Sequence, residues 1–155
     1  MEDWESLLLV KNPKNCGKGF SVKNGILHAS GRVVLFTDAD LSTPVEEIPK
    51  LIEPIIRNES DLTFGSRALD RSLIGVHQSL TREFSGRIFN WLVQMLIGLP
   101  FKDTQCGFKA FRRQAIMPFI GQQRIHGFGF DPEILFLAKI MGLDYKKFLF
   151  GGITM

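Results

Sequence analysis

Two carboxylates, Asp38 and Asp40, directly follow a short apolar run and are the residues best placed to do chemistry. They lie two positions apart, so on an extended chain both side chains point to the same side. Paired carboxylate oxygens can hold a hard divalent cation and leave its remaining positions to phosphate and water. The pair therefore predicts a metal or phosphate site, although the spacing alone also fits two solvated carboxylates in a loop.

The run before them, Val33–Phe36, is typical of a strand buried on both faces, as in a parallel sheet. Ligands of open α/β sheets bind at the carboxyl ends of the strands, which is where Asp38 falls. Thr43, Pro44 and Glu46 then predict the start of a helix, as a capping box with proline in the first turn. The expected order is strand, acidic loop, helix.

Upstream, the apolar run Leu7–Val10 predicts another buried strand, followed by a polar turn. Gly17 and Gly19 flank Lys18 at the start of a helical pattern that stops near Gly31. Strand, helix and strand make a βαβ unit, which implies a parallel sheet. Lys18 could reach a phosphate at the helix start, although a plain junction between loop and helix fits equally well.

Further elements follow along the chain. Residues 61–64 predict a strand, and its exit loop would place Arg67 at the same edge of the sheet as the aspartates. Residues 78–99 are the longest helical candidate, with a basic first half and an apolar second half, which fits either a membrane interface or packing on the sheet. Residues 102–111 read as a polar loop running into a short strand. Asp131 reads as the N-cap of the last helix.

Composition indicates one ordinary globular domain. The 155 residues are 45% hydrophobic and 23% charged, and the net charge of +3 is too small to indicate a nucleic-acid partner. No apolar stretch reaches the roughly 18 residues of a membrane span, so any membrane contact is expected at the surface. Cys16 and Cys106 are expected to be free thiols, and His28, His77 and His126 to have structural or solvent-exposed roles.

Several ordered motifs together resemble one enzyme family. They are Asn15-x-Gly-Lys-Gly-Phe20, Phe36-Thr-Asp-Ala-Asp-Leu-Ser-Thr-Pro44, Gly65-Ser-Arg67, Arg82-x-x-Ser-x-x-x-x-Asn90, Asp103-Thr-Gln-Cys-Gly-Phe-Lys109 and Gly129-Phe-Asp-x-Glu-Ile-Leu-Phe136. The sequence is similar to the inverting GT-A glycosyltransferases that move a sugar from a nucleotide sugar to a polyprenyl phosphate. Within that family it most resembles the dolichyl-phosphate β-glucosyltransferases.

The resemblance implies an α/β fold: an incomplete, Rossmann-like GT-A domain with a mainly parallel sheet flanked by helices. It implies metal-dependent transfer of glucose from UDP-glucose to a dolichyl or other polyprenyl phosphate, with inversion and with Mg²⁺ or Mn²⁺. It further implies a peripheral protein at the cytoplasmic face of a membrane. A phosphate acceptor is already largely dianionic at neutral pH, so no general base is required.

Site residues are carried over by position. Asp38 and Asp40 match the motif for the metal and the donor diphosphate, and Lys18 is expected to contact the nucleotide. Arg67 and Arg82 match residues that hold phosphate near the reacting centre. The resemblance therefore implies catalytic roles for Asp40 and both arginines. The remaining residues implied to bind substrate are Ser85, Asp103, Gln105 and Lys109.

The sequence departs from the family pattern at both ends, since strands that recognise the nucleotide normally precede the region matched here. We therefore expect residues 1–155 to form a single partial domain that self-associates or binds a partner chain. Two alternatives remain open. One is an inactive remnant or membrane-associated partner of a transferase. The other is a haloacid-dehalogenase-type phosphatase, in which Asp38 would attack phosphorus and Asp40 would protonate the leaving group.

Overall fold

The computed structural model describes residues 7–39, 43–67 and 107–150 of the chain. In this part of the chain the helices are α1 (Lys18–His28), α2 (Ile48–Ile56), α3 (Arg113–Ile120) and α4 (Phe130–Ile140). The strands are β1 (Val33–Thr37), β2 (Leu62–Arg67), β3 (Phe108–Arg112) and β4 (Tyr145–Phe150). A 3-10 turn, Val45–Glu47, leads into α2.

The described strands form one mixed sheet in the order β1-β3-β2-β4. Strand β3 is antiparallel to both of its neighbours, whereas β2 and β4 are parallel. Three strands therefore run in one direction and β3 runs against them. The α/β fold agrees with the sequence-based expectation, but the sheet is mixed rather than mainly parallel, because β3 lies between β1 and β2 and is antiparallel to both.

Helices cover both faces of the sheet. Helix α2 packs through Leu51 and Ile55 on Phe108 and Ala110 of β3. The opposite face, formed in part by Phe64 and Phe111, is covered by α1, α3 and α4. Alternate residues of each strand feed these two cores, so the side chains of Phe36 and Lys109 belong to the face that α1 and α4 cover.

The first predicted strand does not form. Leu7–Val10 has no regular secondary structure, and the leucines at positions 7, 8 and 9 are between 64% and 74% exposed. An apolar run becomes a strand only where another strand pairs with it, and no described strand pairs with this segment. The expected βαβ unit is therefore wrong at its first element, and β1 pairs only with β3 in the described sheet.

Three local predictions also need correction. The predicted capping box does not form: Pro44, rather than Thr43, is the N-cap of the 3-10 turn, and no side chain caps it. Gly65–Arg67 continues β2 because β4 pairs with it as far as Arg67. Helix α4 starts at Phe130 after Gly129, so Asp131 lies inside its first turn and is not the N-cap.

Other predictions are confirmed. Helix α1 and strands β1 and β3 form where the pattern placed them. Cys16 is a free thiol. His28 and His126 have structural contacts: the ring of His28 lies 2.8 Å from the carbonyl oxygen of Asn24, and the ring of His126 packs edge-on against Phe20. Cys106, His77 and the helix predicted at residues 78–99 lie outside the described residues.

Candidate functional site

Four chain segments meet at one edge of the sheet. They are the carboxyl end of β1, the residues that lead into β3, and the amino ends of α1 and α4. Strand β1 ends at Thr37, and Ala39 already lies in a turn, so the chain leaves the sheet directly after Asp38. This is the edge at which the sequence predicted a ligand site.

Asp38 is held through both its backbone and its side chain. Its N–H donates a hydrogen bond to the carbonyl of Gly107 with an N···O distance of 3.0 Å. Its carboxylate pairs with the ammonium of Lys18 at 2.6 Å, and the two side chains are 25% and 29% exposed. The carboxylate is thus fixed in direction and still open to solvent on one side.

Gly107 packs directly on that carboxylate. A Cβ built on Gly107 would lie 2.1 Å from Oδ2 of Asp38 and 2.2 Å from its Cγ, distances that no real atom pair tolerates. Only glycine fits here unless Asp38 moves. Gly107, the last residue of the Asp-x-x-x-Gly pattern, therefore leaves room for the Asp38 carboxylate because it has no side chain.

The start of α1 delivers Lys18 to Asp38. Gly17 adopts a φ of 91°, in the left-handed region that favours glycine, and a Cβ there would lie 2.4 Å from the carbonyl oxygen of His126. The N–H of Phe20 donates to that same carbonyl. The first turn of α1 is therefore seated on the loop before α4, and Lys18 projects from this fixed junction.

That loop is itself held by α4. The carboxylate of Glu133 accepts hydrogen bonds from the backbone N–H groups of Arg124 and Ile125, both at 2.8 Å. The buried side-chain amide of Gln123 donates to the carbonyls of Gly19 and Ile125. Hydrogen bonds from side chains of the loop and of α4 thus fix the position of the first turn of α1.

A second ion pair is more deeply buried than the first. Lys109 of β3 pairs with Asp131 of α4, and their side chains are only 0% and 4% exposed. The Lys109 ammonium also lies 5.5 Å from the ring centroid of Phe36. Burial raises the pKa of the Asp131 carboxyl above its ordinary value, while the charge and hydrogen bond of Lys109 act to lower it.

The two ion pairs form one cluster, which we call the four-charge cluster: Lys18, Asp38, Lys109 and Asp131. The charge of Lys18 lowers the pKa of Asp131 and the charge of Asp38 raises it, so the upper and lower pairs are close enough to interact. Phe130 lies 5.8 Å from the Lys18 ammonium and its ring packs against Phe36, which provides an apolar floor between the pairs.

The described residues include part of the predicted site. Asp38, Lys18 and Lys109 come together in the four-charge cluster. The backbone of Arg67 ends β2, which runs in the same direction as β1. Phe36 of β1 and Phe64 of β2 are both in register with Lys109. Arg67 and Asp38 therefore lie at the same edge of the sheet. Asp40, Arg82, Ser85, Asp103 and Gln105 lie outside the described residues.

Sequence reasoning missed Asp131, which was interpreted as a helix cap. The available signal was Lys109, a charged residue that stands between the apolar residues Phe108 and Ala110 of β3. A lysine is almost never fully buried without a partner, so a carboxylate should have been sought elsewhere in the chain. Gly129-Phe-Asp131 supplies it.

No group of three or more histidine, cysteine, aspartate or glutamate side chains suited to a metal is found among residues 7–39, 43–67 and 107–150. Within the same ranges, no helix is long and apolar enough to cross a membrane.

The sequence model described as "Glycosyl transferase family 2" matches residues 2–118. Among curated proteins, the chain is 35% identical over 147 residues to the dolichyl-phosphate beta-glucosyltransferase of Saccharomyces cerevisiae, covering 88% of this chain and 44% of the relative. It is 33% identical over 140 residues to the protein of that name from Homo sapiens, covering 86% and 43%. A Trichomonas vaginalis dolichyl-phosphate beta-glucosyltransferase is 34% identical over 142 residues, covering 89% and 43%. The chain thus spans less than half the length of these relatives.

Among solved structures, the chain resembles glucosyl-3-phosphoglycerate synthase of Mycobacterium tuberculosis. The TM-score is 0.61 at 20% identity, and the match covers 90% of this chain and 47% of that one. The same protein in complex with Mn²⁺ and UDP-glucose matches with a TM-score of 0.61 at 19% identity, covering 96% and 49%. At this identity the likeness establishes a shared GT-A fold.

Proposed function

The chain belongs to glycosyl transferase family 2. From this premise we propose that it carries part of the catalytic domain of an enzyme that transfers glucose from UDP-glucose to dolichyl phosphate. The similarity to dolichyl-phosphate β-glucosyltransferases along most of the chain supports the choice of substrates. The phosphatase alternative is not favoured, because it accounts for none of this similarity.

The observation that carries the proposal is the position of Asp38. Its carboxylate is fixed at the carboxyl end of β1, faces solvent on one side, and is paired with the flexible side chain of Lys18. This position supports a role in holding a cation, or a cation bound to phosphate, at the sheet edge.

The donor set fits a hard divalent cation. Asp38 offers carboxylate oxygen, and we propose that Asp40 offers a second; Mg²⁺ and Mn²⁺ sites in nucleotide enzymes commonly use one or two carboxylates together with phosphate and water. The related fold crystallised with Mn²⁺ and UDP-glucose supports this choice. When bound, the metal would neutralise negative charge on the departing nucleoside diphosphate.

The remaining roles concern phosphate. We propose that Lys18 contacts the donor diphosphate, since its ammonium already lies beside Asp38. Arg67 ends β2 at the same edge of the sheet, and with Arg82 and Ser85 it is proposed to bind the lipid phosphate. Guanidinium groups suit this role because they stay charged and can bind two oxygens at once. Asp103 and Gln105 are proposed to line the same site.

The reaction needs positioning more than acid–base chemistry. A phosphate monoester has a second pKa of about 6, so the acceptor oxygen is already a nucleophile at neutral pH. Attack on the anomeric carbon from the face opposite to the leaving diphosphate would invert the configuration. The protein's contribution is to align the two phosphorylated substrates and balance their charge.

Two further proposals concern partners. Dolichyl phosphate is a membrane lipid, so we propose peripheral contact with the cytoplasmic face of a membrane. Strand β1 has one free edge in the described sheet, and we propose that a second chain or further strands cover it, because an open edge exposes backbone hydrogen-bonding groups. A size measurement by light scattering, with and without liposomes that contain dolichyl phosphate, tests both.

The main experiment is calorimetric titration of the chain with UDP-glucose and with GDP-mannose, in the presence and absence of Mn²⁺. We expect Mn²⁺-dependent binding of UDP-glucose that Asp38→Asn and Asp40→Asn abolish. Asp144→Asn is the matched control, because this exposed carboxylate precedes β4, far from the four-charge cluster. A folded chain that binds neither donor would support the inactive-remnant alternative, and a preference for GDP-mannose would overturn the choice of sugar.

A further inference from the structure

We propose that the buried ion pair between Lys109 and Asp131 positions Asp38: Asp131 is a positioning residue that acts through Lys109, Gly107 and Lys18 on the carboxylate of the metal and donor site. The inference rests on the proposed function for what Asp38 binds. It gives Lys109 a role beneath the site, which differs from the substrate contact expected from the sequence.

The burial of the pair is the first argument. Both side chains are nearly or fully excluded from solvent, and removing two charges from water is so unfavourable that an apolar pair of similar volume usually gives equal or greater stability. The surrounding core is made of phenylalanines and aliphatic residues that could accommodate such a pair. Stability alone therefore does not explain why the charged side chains of Lys109 and Asp131 are buried at this place.

Strand β3 connects Lys109 to Asp38. Lys109 faces Phe36 across the strand pair, and Gly107 lies two residues before it on the same face. The carbonyl of Gly107 accepts the N–H of Asp38, and its Cα packs on the carboxylate. A shift of Lys109 would thus move Gly107, and with it the surface against which Asp38 rests.

Helix α4 connects Asp131 to Asp38 from the other side. Asp131 follows Phe130, whose ring lies under the Lys18 ammonium and packs on Phe36. Lys18 is the cation that pairs with Asp38. The Lys109–Asp131 pair therefore ties together the two elements that hold Asp38 from opposite sides, β3 through Gly107 and α4 through Phe130 and Lys18.

The test separates positioning from stability. Lys109→Met and Asp131→Asn each leave one buried charge unpaired, so each should lower the melting temperature by about 10 °C. The double variant Lys109→Met/Asp131→Leu replaces both charges by apolar groups and should recover most of that loss. In the folded double variant we expect displaced NMR signals for the Asp38 carboxyl and the Gly107 amide, and Mn²⁺ affinity weakened by about tenfold or more.

The matched control is Lys146→Met/Glu59→Leu, which removes an exposed ion pair between β4 and the residues before β2. It should leave the signals of Asp38 and Gly107, and the Mn²⁺ affinity, as in the wild type. If the folded Lys109/Asp131 double variant keeps these signals and this affinity, the pair does not position Asp38 and the proposal is overturned, whatever its melting temperature.

Asp131→Glu keeps the inference testable if the apolar double variant does not fold, because it preserves both charges and moves the carboxylate by one methylene. Displaced Asp38 and Gly107 signals in this folded variant support the proposal, and unchanged signals refute it. The NMR readout needs no ligand. A wild-type chain that binds neither Mn²⁺ nor UDP-glucose would therefore refute the proposed function, while the signals still decide whether the pair positions Asp38.

Discussion

Gly107 presses against the carboxylate of Asp38 so closely that its α-carbon forms one wall of the site. The same residue accepts the backbone N–H of Asp38. Position 107 therefore controls both the backbone and the side chain of an aspartate that lies far away in the sequence.

The first prediction is that Gly107→Ala displaces Asp38. The added methyl would overlap the carboxylate, so Asp38 must rotate or β1 must separate from the start of β3. We expect a loss of about 1–3 kcal/mol in the free energy of unfolding and loss of Mn²⁺-dependent donor binding. Denaturant unfolding and calorimetric titration measure the two effects.

Gly25→Ala is the control for that substitution. Gly25 lies inside α1, and apart from its chain neighbours and the adjacent helix backbone no atom lies within 4 Å of the position that an added methyl group would take. Alanine there should stabilise the protein by about 0.5–1 kcal/mol, because it favours the helix, and should leave donor binding unchanged. Equal losses from both alanine substitutions would contradict the special role of position 107.

The second prediction is that Lys18→Met separates metal binding from donor binding. The Lys18 ammonium pairs with an oxygen of Asp38, so it competes with any cation for that carboxylate. Its removal should tighten binding of Mn²⁺ alone. It should weaken binding of UDP-glucose in the presence of Mn²⁺, because the proposed contact of Lys18 with the donor diphosphate would be lost.

Lys14→Met, an exposed substitution just before α1, should change neither affinity. If Lys18→Met weakens both affinities, the loss of Lys18 as a partner that holds Asp38 in place outweighs the loss of its competition with the metal, and the expected separation is refuted. Titrations of metal alone and of donor at saturating metal provide the comparison.

The third prediction concerns the titration of Asp131. Burial raises the pKa of its carboxyl, and Lys109 partly offsets this effect. The folded protein thus keeps the proton to a higher pH than the unfolded chain does. Stability attributable to this group should therefore be greatest at pH values below the ordinary carboxyl pKa, and it should decrease as the pH rises through the folded pKa.

Lys109→Met should raise the pKa of Asp131 further, because the charge and hydrogen bond of Lys109 that lower this pKa are removed. The decrease in stability should then extend to higher pH. Carboxyl NMR titration of the wild type and the variant provides the test. Glu59 is the internal contrast: Lys146 lowers its pKa, so Lys146→Met should bring that pKa up toward its ordinary value. An unchanged Asp131 titration in Lys109→Met would contradict the assigned contact.

The fourth prediction is that Glu133 holds in place the loop before α4, on which the first turn of α1 packs. Its carboxylate accepts two backbone N–H groups, from Arg124 and Ile125. Glu133→Ala should destabilise the protein by about 2 kcal/mol, since hydrogen bonds to charged groups contribute more than neutral ones. Glu133→Gln should lose less, because its remaining carbonyl oxygen can still accept.

Hydrogen exchange of the Arg124 and Ile125 amides gives a local measurement for both Glu133 variants. Exchange should be faster in Glu133→Ala than in Glu133→Gln, and faster in both than in the wild type. Unchanged exchange in Glu133→Ala would refute the role of this side chain.

The sequence was most informative where a residue's role depends on near neighbours. The apolar run at Val33–Phe36 predicted a strand, and the carboxylate after it was correctly placed at the sheet edge. The helix that carries Lys18 could also be predicted from its flanking glycines and periodic apolar residues.

Distant pairing could not be predicted in this way. Nothing in the local pattern of β3 indicates that it enters the sheet between β1 and β2 and runs against both. The apolar segment Leu7–Val10 has the composition of a strand but no described partner. Asp131 looked like a cap because its partner, Lys109, lies on a different element, and only the packed structure brings the two together.

The pairing of β1 with β3 also sets an order of events during synthesis. Residues 33–37 leave the ribosome long before residues 108–112, yet β1 finds its described hydrogen-bonding partner only in the later segment. Contacts so distant in sequence form slowly, because a long loop must close first. The nascent chain therefore carries Asp38 without Gly107, its described backbone partner, until the later segment has been made. The contacts that hold Asp38 form only at that stage.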